Sequence, residues 1–410
     1  MRMVVVSLEV EIAGLKMKNP LMNAACPVSR DAEMMKALID NGVGAVVAKT
    51  ISVRPAIVPR PSMGAVDRGI VRSQILKTFG PGNVRIVNAD SGNYRFIYAL
   101  LNAELWSDIP AEHYFEREYP IVKKYAEEKG VPFIISIGYK PEELQLLGPK
   151  CQKAGANAIE FSTHYIGKDY RPVVEAAKAL REVVDIPIFA KLSPFTPNIP
   201  ELVKELEKVG VDGIVATNTI GPALHIDIET GLPIVGGPNG YGWMSGPALK
   251  PLALAVVAEA AKNTHLPVIG VGGISKGTDV IEYFMAGASA VQICTAALIE
   301  GLGVFRRIEK EIESWLKRHG YDSILDVKGK ALKYLKPEPR RVWAKPPVVD
   351  PKKCIGCGFC EQVCDYNAVK VVPNEEGKRI AQVNYDLCYG CGLCTSVCPT
   401  RAIHFEEELD

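Results

Sequence analysis

Eight of the eleven cysteines in this 410-residue chain are spaced for one kind of chemistry. Cys354, Cys357, Cys360 and Cys364 form a CxxCxxCxxxC run, and Cys388, Cys391, Cys394 and Cys398 repeat it. Three thiolates on a tight glycine-containing loop, with a fourth from elsewhere, are what a cubane iron–sulfur cluster needs. In the two-cluster pattern the fourth cysteine of each run crosses to the other cluster. The ligand sets are then Cys354, Cys357, Cys360 and Cys398 for one, and Cys388, Cys391, Cys394 and Cys364 for the other. Val363, Ala368 and Val369 match Val397, Ala402 and Ile403 at a constant offset, which predicts two homologous halves packed as a pair. A zinc site would prefer separated CxxC pairs. Disulfides fit poorly, since this density of thiolates belongs to a reducing compartment. Such a module moves electrons singly, and the rest of the chain must supply or use them.

The length suggests one large domain plus the small cluster module. Lysine plus arginine number 48 against 47 acidic residues, with no basic block to argue for nucleic acid. The first ten residues are too interrupted by Ser7 and Glu9 for a signal peptide, and no run of eighteen apolar residues predicts a membrane span. The expectation is a cytoplasmic enzyme acting on a small molecule. Homodimerisation, or assembly into a hetero-oligomer, follows from how commonly soluble enzymes oligomerise.

Residues 20–294 alternate short apolar runs with segments of helical period, the pattern of successive β/α units. Eight strands are predicted at 21–25, 45–50, 132–137, 158–162, 187–193, 213–219, 267–272 and 290–295. Helices are predicted at 30–41, 170–184, 199–209 and 275–286. The fold class is therefore α/β, a (β/α)8 TIM barrel with a carboxyl-terminal two-cluster ferredoxin-like module. The barrel spans 1–335, a proline-rich tether 336–353, and the ferredoxin-like domain 354–410. Oversized connections at 51–130 and 220–246 are expected to cover the barrel mouth.

Several strands turn polar at their carboxyl ends, where a barrel builds its active site. Gly272-Gly273 closes the seventh strand and Cys294-Thr295 the eighth, which resembles the phosphate site of barrels, with Ser245-Gly246 as a third wall. Lys49 and Lys191 also stand at strand ends, and a buried ammonium there wants an anionic partner, which a reduced flavin ring would supply. Of the remaining cysteines, Cys151 reads as a small buried residue, and Cys26 and Cys294 also lie near the expected flavin.

These stretches together resemble the family of dihydroorotate and dihydropyrimidine dehydrogenases, and within it the carboxyl-terminal FMN and iron–sulfur half of dihydropyrimidine dehydrogenase. The matching segments include Gly14 to Pro20, Lys49-Thr50, Ala190-Lys191, Ala216-Thr217-Asn218-Thr219, Gly272-Gly273-Ile274 and Asp326 to Leu332. The resemblance implies FMN held by Ala25, Lys49, Thr50, Lys191, Ser245, Gly246, Gly272, Gly273, Cys294 and Thr295. It places Asn88, Ser162, Asn218 and Thr219 at the substrate, where amides can read the N–H and C=O edge of a pyrimidine. Hydride transfer between flavin and the ring C=C bond, in either direction, is the implied reaction. Dihydroorotate oxidation is the alternative.

The resemblance breaks after the fourth strand. Where the family has Asn-Leu-Ser-Cys-Pro with a proton-donating cysteine, this chain has Ser162-Thr163-His164-Tyr165-Ile166. His164 and Tyr165 become the candidate acids. The same departure leaves room for an unrelated substrate, or for a pure electron-transfer subunit whose barrel no longer catalyses. No GxGxxG follows a strand ahead of a helix, so no nicotinamide domain is expected. Electrons should then pass through the two 4Fe–4S clusters to a separate partner, either a flavoprotein subunit or a ferredoxin.

Overall fold

The computed structural model describes residues 6–67, 97–138, 140–162, 167–339 and 345–406. They form two compact units, Met1–Lys333 and Tyr334–Asp410, each with its own hydrophobic core.

In the first unit eight strands form one parallel sheet: β1 (Leu21–Asn23), β2 (Val46–Val47), β3 (Phe133–Ile137), β4 (Ala158–Ser162), β5 (Ile188–Leu192), β6 (Gly213–Ala216), β7 (Val268–Val271) and β8 (Ala290–Ile293). Their order around the sheet is β1-β8-β7-β6-β5-β4-β3-β2, and a parallel bridge between Met22 and Ala45 joins the two ends. This is a closed TIM barrel, with all eight strands inside the predicted ranges. Residues along β3, β4 and β5 are buried without alternation, because side chains fill the barrel on one face and helices cover the other.

A helix follows each strand: Ala32–Asp40, Tyr119–Lys129, Pro141–Lys153, Arg171–Arg181, Ile199–Lys208, Lys250–Asn263, Gly277–Met285 and Val304–His319. The last shows why these segments coil and dock. Its buried Val304, Ile308, Ile312 and Leu316 recur every fourth residue, giving one apolar stripe, and charged residues fill the outer face. Gly320 ends it in the left-handed conformation that a side chain would resist. Asp31 begins the first helix by accepting the Met34 N–H at 2.9 Å.

The β1–β2 seam is thin, since β2 has only two residues. Asn23 reinforces it with its side chain. Its amide donates to the Val47 carbonyl at 2.6 Å and accepts the Val47 N–H at 3.0 Å, with the residue fully buried. A side chain thereby supplies hydrogen bonds that the short ladder lacks.

Both long connections contribute to a second sheet. Ile220–Ala223, Gly242–Ser245, Ile97–Asn102 and Met63–Asp67 pair antiparallel in that order. Asn88, expected at the substrate, lies outside the described residues.

The second unit is built around its cysteines. Cys354, Cys360 and Cys394 are buried with Val369, Val371, Ala381, Ala402 and Ile403 in a core too small to be rich in apolar residues. Short helices Phe359–Gln362 and Leu393–Ser396 each follow a left-handed glycine, Gly358 and Gly392, at equivalent places in the repeat. Val348–Val349, which the proline-rich composition around it assigns to the tether, instead pairs antiparallel with Ile403–His404. The β-branched pair found an edge to bond despite the flanking prolines.

Replacing Asn23 with alanine should leave the Val47 N–H and C=O buried and unpaired. We expect a loss of about 2–4 kcal/mol, read as a lower urea midpoint in far-UV circular dichroism. An unchanged midpoint would show that the seam does not depend on this side chain.

Candidate functional site

A cavity of ≈ 370 Å³ opens at the carboxyl ends of the strands beneath the cap sheet. It contains every residue expected at the flavin: Ala25, Lys49, Thr50, Lys191, Ser245, Gly246, Gly272, Gly273, Cys294 and Thr295. Ser162, Asn218 and Thr219, expected at the substrate, line it too. His164 and Tyr165 lie outside the described residues.

One wall is made of backbone. Gly246 and Gly273 both have positive φ, and a Cβ on Gly273 would lie 2.8 Å from the Gly246 carbonyl oxygen. Two turns therefore abut there only because neither carries a side chain, and Gly272 beside them is equally constrained, at φ 132°. The hydroxyls of Thr295 and Ser245 meet at 2.8 Å on the same wall. A small, hydroxyl-lined backbone cradle of this kind fits a phosphate group.

The two lysines are held differently from the sequence expectation. Each already has a carboxylate in the chain. Lys191 Nζ lies 3.2 Å from Glu160 Oε1 and 3.3 Å from Gln292 Oε1, while Gln292 donates to Glu160 Oε2 at 2.6 Å. Ser136 donates to the same carboxylate at 3.5 Å and meets Thr50 Oγ1 at 2.8 Å. Glu160 is fully buried, so these partners are what makes its charge tolerable. Lys49 donates to the Leu105 carbonyl at 2.8 Å and lies 3.4 Å from Glu104 Oε2. The reason for the difference is register: Glu160 and Lys191 occupy neighbouring strands, and the cap brings Glu104 to Lys49.

Asn102, Glu104, Trp106 and Trp243 also line the cavity, all from the cap and none singled out by the sequence. Nothing in the local pattern Leu-Leu-Asn-Ala-Glu-Leu-Trp marks it as a wall of the site. Glu160 had a signal that could have been read, a lone carboxylate inside an otherwise apolar strand. On the opposite side Asn218 donates to Ser162 Oγ at 3.0 Å and accepts the Thr219 N–H at 2.8 Å. The amide is thereby fixed in orientation before any ligand arrives.

Cys26, shortly after β1, and Cys294, which follows β8, both line this cavity, and each thiol bears on the other's ionisation. Burial raises the Cys26 thiol, but the neighbouring Cys294 thiol, the Val28 backbone and the charges of Lys49 and Lys191 outweigh it and leave it below its ordinary value. Cys294 is pushed well up, first by the Cys26 thiol beside it and then by burial. Cys151 has only burial acting strongly on it and is raised.

The eight cysteines of the second unit surround two small cavities. Cys354, Cys357, Cys360 and Cys398 line one, and Cys364, Cys388, Cys391 and Cys394 the other. These are the crossed sets. Among the described residues no three histidines, cysteines or carboxylates converge as on a single metal ion. Rings of four thiolates around a void suit a four-iron cluster instead.

The comparisons with known proteins agree with this geometry. Residues 164–316 match the dihydroorotate dehydrogenase family, and residues 347–405 match a 4Fe–4S dicluster domain. The chain is similar to the protein of Pyrococcus abyssi described as dihydroorotate dehydrogenase B (NAD(+)), catalytic subunit, at 35% identity over 336 residues, which covers 80% of this chain and 99% of that one. The catalytic subunit of the same description from Thermoplasma volcanium is 33% identical, covering 78% of this chain and 97% of its own. Part of this chain thus has no counterpart in either relative.

In flavin-free protein, iodoacetamide should label Cys26 at lower pH than an ordinary thiol, because its thiolate is the favoured form earlier in the titration. Cys151 should stay unlabelled over the same range. Peptide mass mapping after timed labelling checks both, and equal labelling of the two would contradict the assignment.

Proposed function

Because this chain belongs to the dihydroorotate dehydrogenase family, we propose that it oxidises dihydroorotate to orotate and passes the electrons through its clusters to a separate electron-transfer partner. It is an oxidoreductase acting on CH–CH groups, with FMN and 4Fe–4S clusters as its cofactors. FMN, when bound, exchanges the hydride with the ring and releases electrons one at a time. The observation that supports the reading best is the cavity itself, in which the glycine cradle, two lysines and the amides of Asn102 and Asn218 line one space.

The side chains divide the work. Ser245, Gly246, Gly272, Gly273 and Thr295 would hold the phosphate, and Lys49, Thr50 and Lys191 the ring system. Asn102, Ser162, Asn218 and Thr219 would orient the pyrimidine through its amide edge. His164 and Tyr165 follow β4 where the family cysteine acts, and one of them would take the proton from the carbon next to the hydride-losing carbon. The partner would be a flavoprotein subunit or a ferredoxin, in keeping with relatives that are themselves described as catalytic subunits. No helix among the described residues is long and apolar enough to cross a membrane.

A second reading is favoured by Glu104. A carboxylate on the cavity wall accepts an N–H well but repels the carboxylate of dihydroorotate, and so suits an uncharged dihydropyrimidine. Anaerobic stopped-flow mixing separates the two. Flavin bleaching by dihydroorotate and not by dihydrouracil supports the first, the converse supports the second, and bleaching by neither overturns both.

Glu104→Gln sharpens the comparison. Removing the charge should lower KM for dihydroorotate several-fold and raise it for dihydrouracil, where a charge-assisted hydrogen bond is lost. A change of the same sign for both would remove Glu104 from substrate discrimination. His164→Ala and Tyr165→Phe, made separately, should show which residue moves the proton: flavin reduction slowed by about 10²-fold or more in one of them, and unchanged rates in both would exclude the pair.

A further inference from the structure

The repeat that carries Cys354 onto Cys388 and Cys364 onto Cys398 gives every residue beside one cysteine ring a counterpart beside the other. Most counterparts are alike. Ala368 and Ala402 are one such pair, and their N–H groups donate to Cys364 Sγ and Cys398 Sγ, each at 3.3 Å. Three pairs differ: Ala381, whose N–H donates to Cys354 Sγ at 3.4 Å, lines the first cavity and Pro347, which has no N–H, takes its place at the second, and two more pairs differ in their side chains. Ile355 and Thr400 line the first cavity, and in their places Tyr389 and Tyr366 line the second.

The difference is structural as well as chemical. Tyr366 and Tyr389 stack with ring centroids 4.5 Å apart and planes inclined by 23°, forming an aromatic wall along the second ring. Thr400 instead brings its hydroxyl to 3.7 Å from Cys398 Sγ in the first ring. One ring thus has a hydroxyl donor where the other has a phenol stacked away on its neighbour.

A cubane held by four thiolates becomes more negative by one unit when it is reduced. A hydrogen bond to sulfur stabilises that added charge, and a phenol held in a stack against its neighbour, in the place of a hydroxyl donor, withholds it. Ala381 N–H, Ala402 N–H and the Thr400 hydroxyl reach sulfurs of the first ring, and Ala368 N–H and Gly390 N–H reach sulfurs of the second, so the first ring has the larger set of donors. We propose that the two clusters are electronically unequal, the one on Cys364, Cys388, Cys391 and Cys394 having the lower potential, and that Tyr366, Tyr389 and Thr400 set the gap. The downhill step within the unit then runs from this second cluster to the one on Cys354, Cys357, Cys360 and Cys398. One electron leaves the second cluster and one enters the first, with no bond or proton exchanged. The proposal depends on the cluster assignment and not on which pyrimidine the barrel takes.

Potentiometric titration of the intact, anaerobically purified protein, followed by electron paramagnetic resonance and an iron count, tests it. We expect two separate one-electron waves. Exchanging the walls, as Tyr366→Thr with Tyr389→Ile, should move the lower wave up toward the other. Tyr366→Phe with Tyr389→Phe keeps the stack and should leave it in place. Thr400→Val should move only the upper wave, and downward. Coincident waves in the unaltered protein would overturn the proposal, as would a Thr400→Val effect on the lower wave or a lower wave that the exchanged walls leave unmoved. Should the exchanged variant lose iron, the phenylalanine pair and Thr400→Val still decide. A protein that takes up no iron would refute the cluster assignment itself, which the iron count reports separately.

Discussion

Burying Glu160 at the centre of the barrel is the constraint on which the site depends. A carboxylate with no exposure is costly unless cations and donors satisfy it. Here Lys191 from β5, Gln292 from β8 and Ser136 from β3 converge on it from three other strands. The network ties nearly opposite sides of the barrel together and fixes the Lys191 ammonium at the cavity floor. Position and charge are set by the same bonds, so the floor is rigid before any ring lies on it. A hydrophobic replacement could fill the space, but it would leave no oriented cation there.

The second lysine sits in a looser setting. Glu104, its partner at 3.4 Å, also faces Arg60 at 3.4 Å; Arg60 lies 3.7 Å from Asp108, which pairs with Arg30 at 3.1 Å. This alternating row runs from the buried Lys49 to exposed arginines. Its outer pairs are worth little in stability because water screens them. Their effect is to orient Glu104, the one carboxylate lining the cavity among the described residues. The floor of the site is thus determined by the barrel and its charge balance by the cap.

What could be read in advance follows this division. The eight strands, the glycine pairs and the cysteine rings were legible because each rests on local spacing: apolar runs, φ angles open to glycine, and CxxC loops. Lys49 and Lys191 were legible as positions but not in their pairing, since Glu160 and Glu104 reach them only through strand register and cap closure. Asn102, Glu104 and Trp243 were silent for the same reason. Asn102 reaches the Trp243 carbonyl at 2.9 Å across 141 positions of chain, a proximity that no local pattern encodes. Val348–Val349 was misplaced in the tether because composition there is dominated by prolines, while pairing with Ile403–His404 depends on a distant edge.

The cap sheet also couples two distant stretches of chain mechanically. Its strands come from connections that leave the barrel after β2 and after β6, and the pairing of Trp243–Ser245 with Leu100–Asn102 joins them. Ladder hydrogen bonds hold paired strands at a fixed spacing, so neither connection can lift from the mouth without its neighbour. Asn102 and Trp243, which line the cavity from different connections, therefore form a single wall that moves as one piece.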